Sequence, residues 1–185
     1  MDTPRSIVRV DGGKARVTFS VRWFGVISVS GSFDDVSGTV EFPGAGGQDA
    51  SITIQVDSHS VGTGISLRDR HLRGLRFLDS ARHPVIRFVS HEVVRRTGRW
   101  EVRGRLTLRG HDREVSTLVH DERMSAGQHR LTAGFSVTRR PHAIGTARGI
   151  RRLNPLLWAI GDQVNLRVEL LVPSTVLQPA HVPAR

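Results

Sequence analysis

The sequence predicts an all-β protein, an antiparallel barrel or sandwich of about eight or nine strands with one or two short helices. Three observations predict this class. Apolar and polar residues alternate over many short stretches, which is the period of a strand with one buried face. Glycine-rich turn signals, such as DGG at 11 and PGAGG at 43, separate these stretches. Only the segment 66–74 has a clear helical spacing instead.

The alternating stretches follow one another along the chain, and each places its apolar residues on one face. The run from Glu114 to His120 adds a strand whose phase is less clear. The phase slips by one residue at Asp34 and Asp35, as a β-bulge or a bend requires. The residues that share the apolar face are Val17, Phe19, Val21, Ile27, Val29, Phe33, Val36, Val40, Phe42, Ile52, Ile54, Val56, Ile86, Phe88, Trp100, Val102, Leu106, Leu108, Leu131, Ala133, Phe135, Val137, Val164, Leu166, Val168, Leu170 and Val172.

Strands with one apolar face must bury that face against each other, and they do so by forming a sandwich or by closing into a barrel. Closure also removes the exposed edges that invite aggregation. A barrel of about eight strands has an interior that side chains fill or that holds one small ligand. Gly31, Gly38 and Gly104 share the apolar phase, and an inward glycine is expected to leave space for such a ligand.

The helical segment reads SLRDRHLRG and brings an arginine, an aspartate and a histidine close together. Ser66 is predicted to cap it by accepting a hydrogen bond from the Asp69 backbone N–H. Leu72 and Leu75 are predicted to face inward, and Gly74 to end the helix. This cap gives the charged residues an architectural role, so a site that uses Asp69 and His71 is the less favoured interpretation.

The length of 185 residues predicts one domain, which we place at residues 1–172. Residues 140–161 are predicted to form a long connection, and whether it acts as a lid over the barrel is left open. Residues 173–185 carry three prolines and are predicted to be a disordered tail.

The start of the chain does not read as a signal peptide, and no apolar run reaches the roughly 20 residues of a membrane helix. There is no cysteine, which favours a reducing compartment, so we expect a cytoplasmic protein.

The net charge of +10 raises the alternative of a basic nucleic-acid-binding module. All basic residues except Lys14 are arginines spread along the chain, which is typical of a GC-rich coding bias. The absence of tyrosine also counts against stacking on single strands.

The candidate chemistry is sparse. The nine histidines include no pair at the helical spacing of metalloproteases, so we predict no metal site. No GxSxG elbow is present, and VGTGIS at 61 lacks the lysine of a phosphate-binding loop. We therefore predict that the protein is not an enzyme, and an enzyme using Asp69 and His71 at the barrel mouth remains an alternative.

The segment TGISLRDRHLRGLRFLDSARHPVIRF resembles the signature of the YceI-like family. The matching positions in this segment are Thr63, Gly64, Arg68, Asp69, His71, Leu72, Phe77, Asp79, Pro84 and Phe88. Gly104, Leu106, Thr107, Arg109 and Gly110 match a second motif, and Gly31, Phe33 and Gly38 match a third. The resemblance covers about residues 5–172. Trp23 departs from it, because many members have a histidine there.

The resemblance implies an extended lipocalin-like barrel that binds a polyisoprenoid or a similar lipid in its lumen. The expected function is non-enzymatic binding, transport or sequestration, without a cofactor other than a bound isoprenoid or fatty-acid-like ligand. A homodimer is possible for such barrels. From the alternation, the predicted lumen wall consists of Phe19, Phe33, Phe88, Trp100, Gly104, Leu106, Phe135 and Leu166. Arginines at the mouth are expected to receive a phosphate or carboxylate head group.

Overall fold

The structure is a computed structural model that describes residues 5–43, 50–96, 99–125, 127–146 and 159–174. These residues form eleven β-strands, one α-helix and two short 3-10 helices, at Ser58–Ser60 and Arg140–His142. The strands are β1 (Arg5–Val10), β2 (Ala15–Trp23), β3 (Ile27–Phe33), β4 (Val36–Pro43), β5 (Ser51–Asp57), β6 (Val61–Gly62), β7 (Val85–Arg96), β8 (Arg99–Leu108), β9 (His111–Arg123), β10 (Gln128–Thr138) and β11 (Ile160–Pro173). The helix, α1, spans Ser66–Arg73.

All eleven strands belong to one antiparallel sheet with the order β1-β4-β5-β7-β8-β9-β10-β11-β2-β3-β6. The sheet curls into a half-barrel, because Asp34 and Asp35 join β3 directly to β4 although these strands lie near opposite ends of the order. The Asp57 N–H donates to the Asp35 carbonyl at 3.0 Å across this corner. The predicted all-β, lipocalin-like class is therefore confirmed, and β1 and the two-residue β6 are strands that the alternation did not reveal.

The concave side of the sheet holds the apolar core, as the alternation predicted. Buried or partly buried apolar residues of every long strand meet there, among them Val17, Phe33, Val40, Trp100 and Leu170. Ile27 is an exception, because it lies at the tip of the β2–β3 hairpin with 48% of its surface exposed. The phase slip predicted at residues 34–35 is the corner between β3 and β4.

A register shift in β7 changes which residues face inward along that strand. Ser90 pairs with Gly104 and Glu92 pairs with Arg103, so His91 is an extra residue in the ladder. Such a bulge reverses the alternation beyond it. Before the bulge the even-numbered residues Ile86 and Phe88 face inward, whereas after it the odd-numbered Val93 belongs to the buried core.

The helix α1 begins differently from the prediction. Ile65, and not Ser66, is the N-cap residue, and no side chain caps the helix. The Asp69 N–H donates to the Ile65 carbonyl at 3.0 Å, so the backbone supplies the partner that was expected from the Ser66 hydroxyl. Leu72 packs against the core as predicted, whereas Leu75 is 60% exposed and the prediction for it is wrong. Gly74 follows the helix as its C-cap residue, as predicted.

Two predictions fall on residues outside the described ranges. They concern most of the predicted tail, residues 175–185, and the middle of the predicted connection, residues 147–158. Within the described ranges, no helix is both long enough and apolar enough to cross a membrane.

Candidate functional site

An apolar cavity of about 570 Å³ runs inside the barrel. Side chains from all the long strands line it, together with α1, the segment after α1 and the end of β10. A volume of this size lies within the range of small-molecule binding sites, about 300–1,000 Å³. The strand residues that line the cavity are almost all members of the inward face predicted from the alternation, from Val17 and Phe19 on β2 to Leu166 and Leu170 on β11.

Seven of the eight residues predicted for the lumen wall lie on the lining of this cavity. Their aromatic rings also pack against each other, because Phe19 and Phe33 lie 5.6 Å apart and Trp100 meets the edge of Phe42 at 6.3 Å. Whether these residues contact a ligand stays a prediction. The seven are Phe19, Phe33, Phe88, Trp100, Leu106, Phe135 and Leu166.

The eighth predicted residue, Gly104, is not part of the lining, and the expectation that inward glycines leave empty space is wrong. A Cβ atom on Gly104 would lie 2.5 Å from the Val89 carbonyl oxygen and 2.6 Å from the Phe88 ring. Gly31 is covered in the same way, with the Phe19 ring 2.6 Å from the position of a Cβ. Aromatic rings occupy the space over these glycines, an arrangement that fills a gap in a sheet with a cross-strand neighbour.

Gly38, the third glycine of the apolar phase, also leaves no empty space. A Cβ there would lie 2.1 Å from the Thr53 carbonyl oxygen on the neighbouring strand. The lumen therefore owes its volume to the curvature of the sheet and not to missing side chains.

The motif RDRH lies at one end of the cavity and fastens α1 to the strand before it. The Asp69 carboxylate accepts hydrogen bonds from the backbone N–H and the hydroxyl of Thr63, the former at 2.9 Å. The Arg68 guanidinium donates to the Thr63 hydroxyl at 2.7 Å and to the Thr63 carbonyl at 2.8 Å. Asp69 thus has structural partners, while Arg68 and His71 also line the cavity.

Arg139 at the end of β10 is a polar lining residue that the sequence did not single out. The residue is only 6% exposed. Its guanidinium donates to the carbonyls of Gly161, Ile144, Gly145 and Ile160 at 3.0, 2.9, 3.3 and 3.0 Å. A buried cation needs such partners, because burial of an unpaired charge is strongly unfavourable. Arg139 therefore ties the start of β11 to the segment 139–146.

The described part of the predicted long connection, residues 139–146, packs across this end of the barrel. His142 is 1% exposed, and its Nδ1 lies 3.2 Å from the Leu108 carbonyl oxygen. Burial lowers the pKa of His142, and its neighbour Arg113 lowers it further. Arg109 donates to the Ala143 carbonyl from the β8–β9 turn. These contacts make residues 139–146 a fixed part of the wall, and the question of a lid concerns residues outside the described ranges.

Among the described residues, no group of three or more His, Asp or Glu side chains is placed to hold a metal ion. His129 on β10 and Asp121 on β9 form a pair 2.5 Å apart. His129 also lies opposite Val172 near the end of β11, so this pair is not part of the RDRH motif on α1. The predicted absence of a metal and of catalysis stays a prediction.

Comparison with known proteins agrees with this architecture. The model of the YceI-like domain matches residues 9–172, and the chain belongs to this family. A UPF0312 protein of Vibrio cholerae is 30% identical over 138 residues, which cover 72% of each chain. A UPF0312 protein of Pectobacterium atrosepticum is 32% identical over 100 residues, and there the match covers 54% of this chain and 52% of the relative.

Solved structures share the fold. BcnA of Burkholderia cenocepacia superposes with a TM-score of 0.76 at 20% identity, covering 88% of this chain and 99% of BcnA. A polyisoprenoid binding domain of Saccharophagus degradans, implicated in plant cell wall breakdown, has a TM-score of 0.68 at 18% identity and covers 92% of this chain and 99% of that domain. At such identities the likeness establishes the fold.

Proposed function

We propose that this protein binds a polyisoprenoid or a similar long apolar amphiphile in the barrel cavity, and that it carries or sequesters this ligand without chemical conversion. One observation carries the proposal: the lining of the cavity is apolar except for Thr117 and the basic side chains of Arg68, His71 and Arg139. This arrangement suits a ligand with a long apolar chain and one polar head. The polyisoprenoid-binding relative from Saccharophagus degradans supports the same class of ligand.

The energetics of such a complex are favourable. Each buried CH₂ contributes about 0.8 kcal/mol, so a few isoprene units outweigh an association cost on the order of 4–15 kcal/mol. The Arg68 Nε and Nη2 atoms already donate to Thr63, which fixes the guanidinium at the cavity end. A fixed guanidinium is well suited to a phosphate or carboxylate head group.

The contacts of Asp69 support a non-enzymatic function. Its carboxylate accepts hydrogen bonds from the backbone N–H and the hydroxyl of Thr63, six residues earlier in the chain. A general base needs an accessible carboxylate or imidazole within hydrogen-bond reach of a reacting group. Asp69 has a sufficient structural task, so we favour binding over catalysis.

The aromatic residues support an apolar ligand over nucleic acid. Single strands bind by stacking bases on exposed aromatic rings beside basic side chains. Among the described aromatic residues, only Phe24 is exposed, and the others face the cavity or the core. We therefore favour an apolar ligand over nucleic acid as the binding partner.

The first experiment is native mass spectrometry of the purified protein, followed by extraction and identification of the released molecule. A stoichiometric isoprenoid adduct is the expected result. Binding is then measured with geranylgeraniol, read through the fluorescence of Trp23 and Trp100, which both line the cavity. A protein that carries no apolar adduct and does not respond to geranylgeraniol would contradict the proposal.

A pair of neighbouring variants on β10 tests the site itself. Ala133 lines the cavity, whereas Thr132 lies on the other face of the strand. Ala133→Leu adds volume inside the lumen and is expected to weaken geranylgeraniol binding about tenfold or more, because overpacking costs about 1–3 kcal/mol. Thr132→Leu should bind as the unmodified protein does. Equal binding by both variants would place the ligand elsewhere.

Two further expectations complete the proposal. We infer a cytoplasmic location, as the sequence predicted, and cell fractionation tests it. A homodimer stays a prediction that light scattering of the purified protein would decide.

A further inference from the structure

The turn between β2 and β3 presents an apolar tip to the solvent. Residues 23–27 read WFGVI and contain no charged or polar side chain other than the indole N–H. Phe24 is 59% exposed, Val26 is 79% exposed and Ile27 is 48% exposed. Scattered exposed apolar residues are ordinary, but a run of consecutive ones is found where a surface has a function. We call residues 23–27 the hairpin tip.

The backbone conformation of the hairpin tip does not favour an aromatic residue at position 24. Phe24 has φ +51° and Gly25 has φ +73°, the two positive values of a type I′ hairpin turn. Asparagine followed by glycine is the favoured pair in this turn, and a bulky residue at positive φ is an outlier. An aromatic ring is thus held in solvent at a position where asparagine would be more stable.

Further contacts fix the tip in place. The Phe24 N–H donates to the Ala159 carbonyl at 2.7 Å, and the Arg22 guanidinium donates to the Gly25 carbonyl at 3.2 Å. The Phe24 ring lies 4.9 Å from the Trp23 ring. The tip is therefore a pre-formed apolar projection, and ordering it on contact with a partner costs little entropy.

The hairpin tip belongs to the same end of the barrel as the basic end of the cavity. Trp23 pairs with Ile160, and the Ile160 carbonyl accepts from Arg139. Arg139 also donates to Gly145, whose N–H donates to the Arg76 carbonyl at 2.7 Å. A chain of direct contacts thus runs from the tip, past the cavity, to the segment after α1. We call this end the rim.

The rim is strongly basic. The described segments that build it are residues 22–27, 63–84, 108–113, 138–146 and 159–162, and they contain ten arginines and four aspartates. Asp69 is held by Thr63, Asp79 is buried beside Arg82, and Asp162 lies 3.3 Å from Arg140. Arg139 is itself buried, but seven of the ten arginines are exposed. The arginines are Arg22, Arg68, Arg70, Arg73, Arg76, Arg82, Arg109, Arg113, Arg139 and Arg140.

We propose that the hairpin tip and the surrounding rim form a docking surface for an anionic lipid bilayer, with Phe24 and Val26 entering the interface. Aromatic and aliphatic residues partition into the interfacial zone of a bilayer, and nearby arginines are attracted to anionic head groups. Charge complementarity and the tip's apolar character select this partner over an acidic protein, which would leave the exposed Phe24 and Val26 unexplained. Trp23 lies on both the tip and the cavity lining, so docking brings the cavity to the bilayer.

This inference goes beyond the proposed function, and its test is independent of the cavity. The 185-residue chain is sedimented with vesicles of phosphatidylcholine alone and with vesicles of equal parts phosphatidylcholine and phosphatidylglycerol. The variant Phe24→Asn removes the ring and installs the favoured Asn-Gly turn, so the fold is expected to be as stable or more stable. Ile7→Thr on β1 removes an exposed apolar side chain of similar exposure, 56%, away from the rim, and serves as the matched control.

The expected result is binding to the anionic vesicles that weakens with salt, a loss of about tenfold or more in Phe24→Asn, and no change in Ile7→Thr. Ala133→Leu should bind vesicles normally, so a failed cavity model and a failed docking model give different results. Absence of binding to anionic vesicles would overturn the proposal, as would equal binding by Phe24→Asn. A dimer that forms without vesicles and that Phe24→Asn dissociates would mean that the hairpin tip binds a second copy of the chain, and this result would also overturn the proposal.

Discussion

Gly104 offers a direct test of how closely the strands of the barrel approach one another. Replacement by alanine places a Cβ 2.5 Å from the Val89 carbonyl oxygen and 2.6 Å from the Phe88 ring. The ring can move into the cavity, but the carbonyl belongs to the neighbouring backbone beside the bulge at His91. Relief of the contact therefore requires a shift of β7 relative to β8.

The expected magnitude follows from this shift. Overpacking of a well-filled site costs about 1–3 kcal/mol, and the displaced backbone places Gly104→Ala toward the upper part of that range. Gly134→Ala on β10 is the matched control, because the Leu166 carbonyl oxygen would lie 4.0 Å from the new Cβ, at an ordinary contact distance. That replacement reduces the freedom of the unfolded chain and should stabilise the protein by about 0.4–1 kcal/mol.

Urea denaturation, followed by circular dichroism, measures the free energy of unfolding for both variants. Opposite signs are expected, with unchanged dependence on urea concentration, because neither change alters the surface exposed on unfolding. If Gly104→Ala and Gly134→Ala agree within about 0.5 kcal/mol, the close approach at Gly104 has no energetic consequence and the reasoning fails.

Two further predictions concern the rim. Burial lowers the pKa of His142, so the unfolded chain binds more protons than the folded one below about pH 6.5, and acidification through that pH should destabilise the fold by at most about 1.4 kcal/mol per pH unit. His142→Gln keeps a donor toward the Leu108 carbonyl but removes the titrating imidazole. Urea denaturation at several pH values should then no longer show this loss of stability on acidification. An unchanged pH dependence would mean that other groups cause the loss. Asp69→Asn should lower the free energy of unfolding by about 1–3 kcal/mol, because it weakens both hydrogen bonds from Thr63. An unaltered stability with lost function would instead favour a catalytic Asp69.

The cavity wall could be predicted from the sequence because alternation is a local property. A strand turns successive side chains to opposite faces, so the apolar phase alone assigns Phe19 or Leu166 to the interior. The same reasoning failed for Gly104, since the distance to a carbonyl on another strand is set by pairing and by a bulge. It also failed for Ser66, because the Ile65 carbonyl takes the Asp69 N–H and Thr63 takes the Asp69 carboxylate.

Arg139 shows why the polar part of the site could not be predicted from the sequence. Nothing local distinguishes it from the many other arginines of the chain. Its burial depends on carbonyl groups 5 to 22 residues away, which converge only when β10, β11 and residues 144–145 meet. Motif spacing cannot reveal such a site, because backbone carbonyls carry no residue signature.

The placement of the arginines separates coding bias from function. A coding bias selects arginine over lysine, but it does not determine where balancing carboxylates lie. On the outer strand faces, several arginines have carboxylate partners, as Arg103 does in Glu92 and Glu101, at 3.2 and 2.8 Å. At the rim, ten arginines meet four aspartates. Asp69 is held by Thr63, Asp79 is buried beside Arg82, and Asp162 lies 3.3 Å from Arg140. Surface charges of this kind act over a screening length of about 10 Å, so the attraction of the rim to an anionic surface should weaken as salt is added.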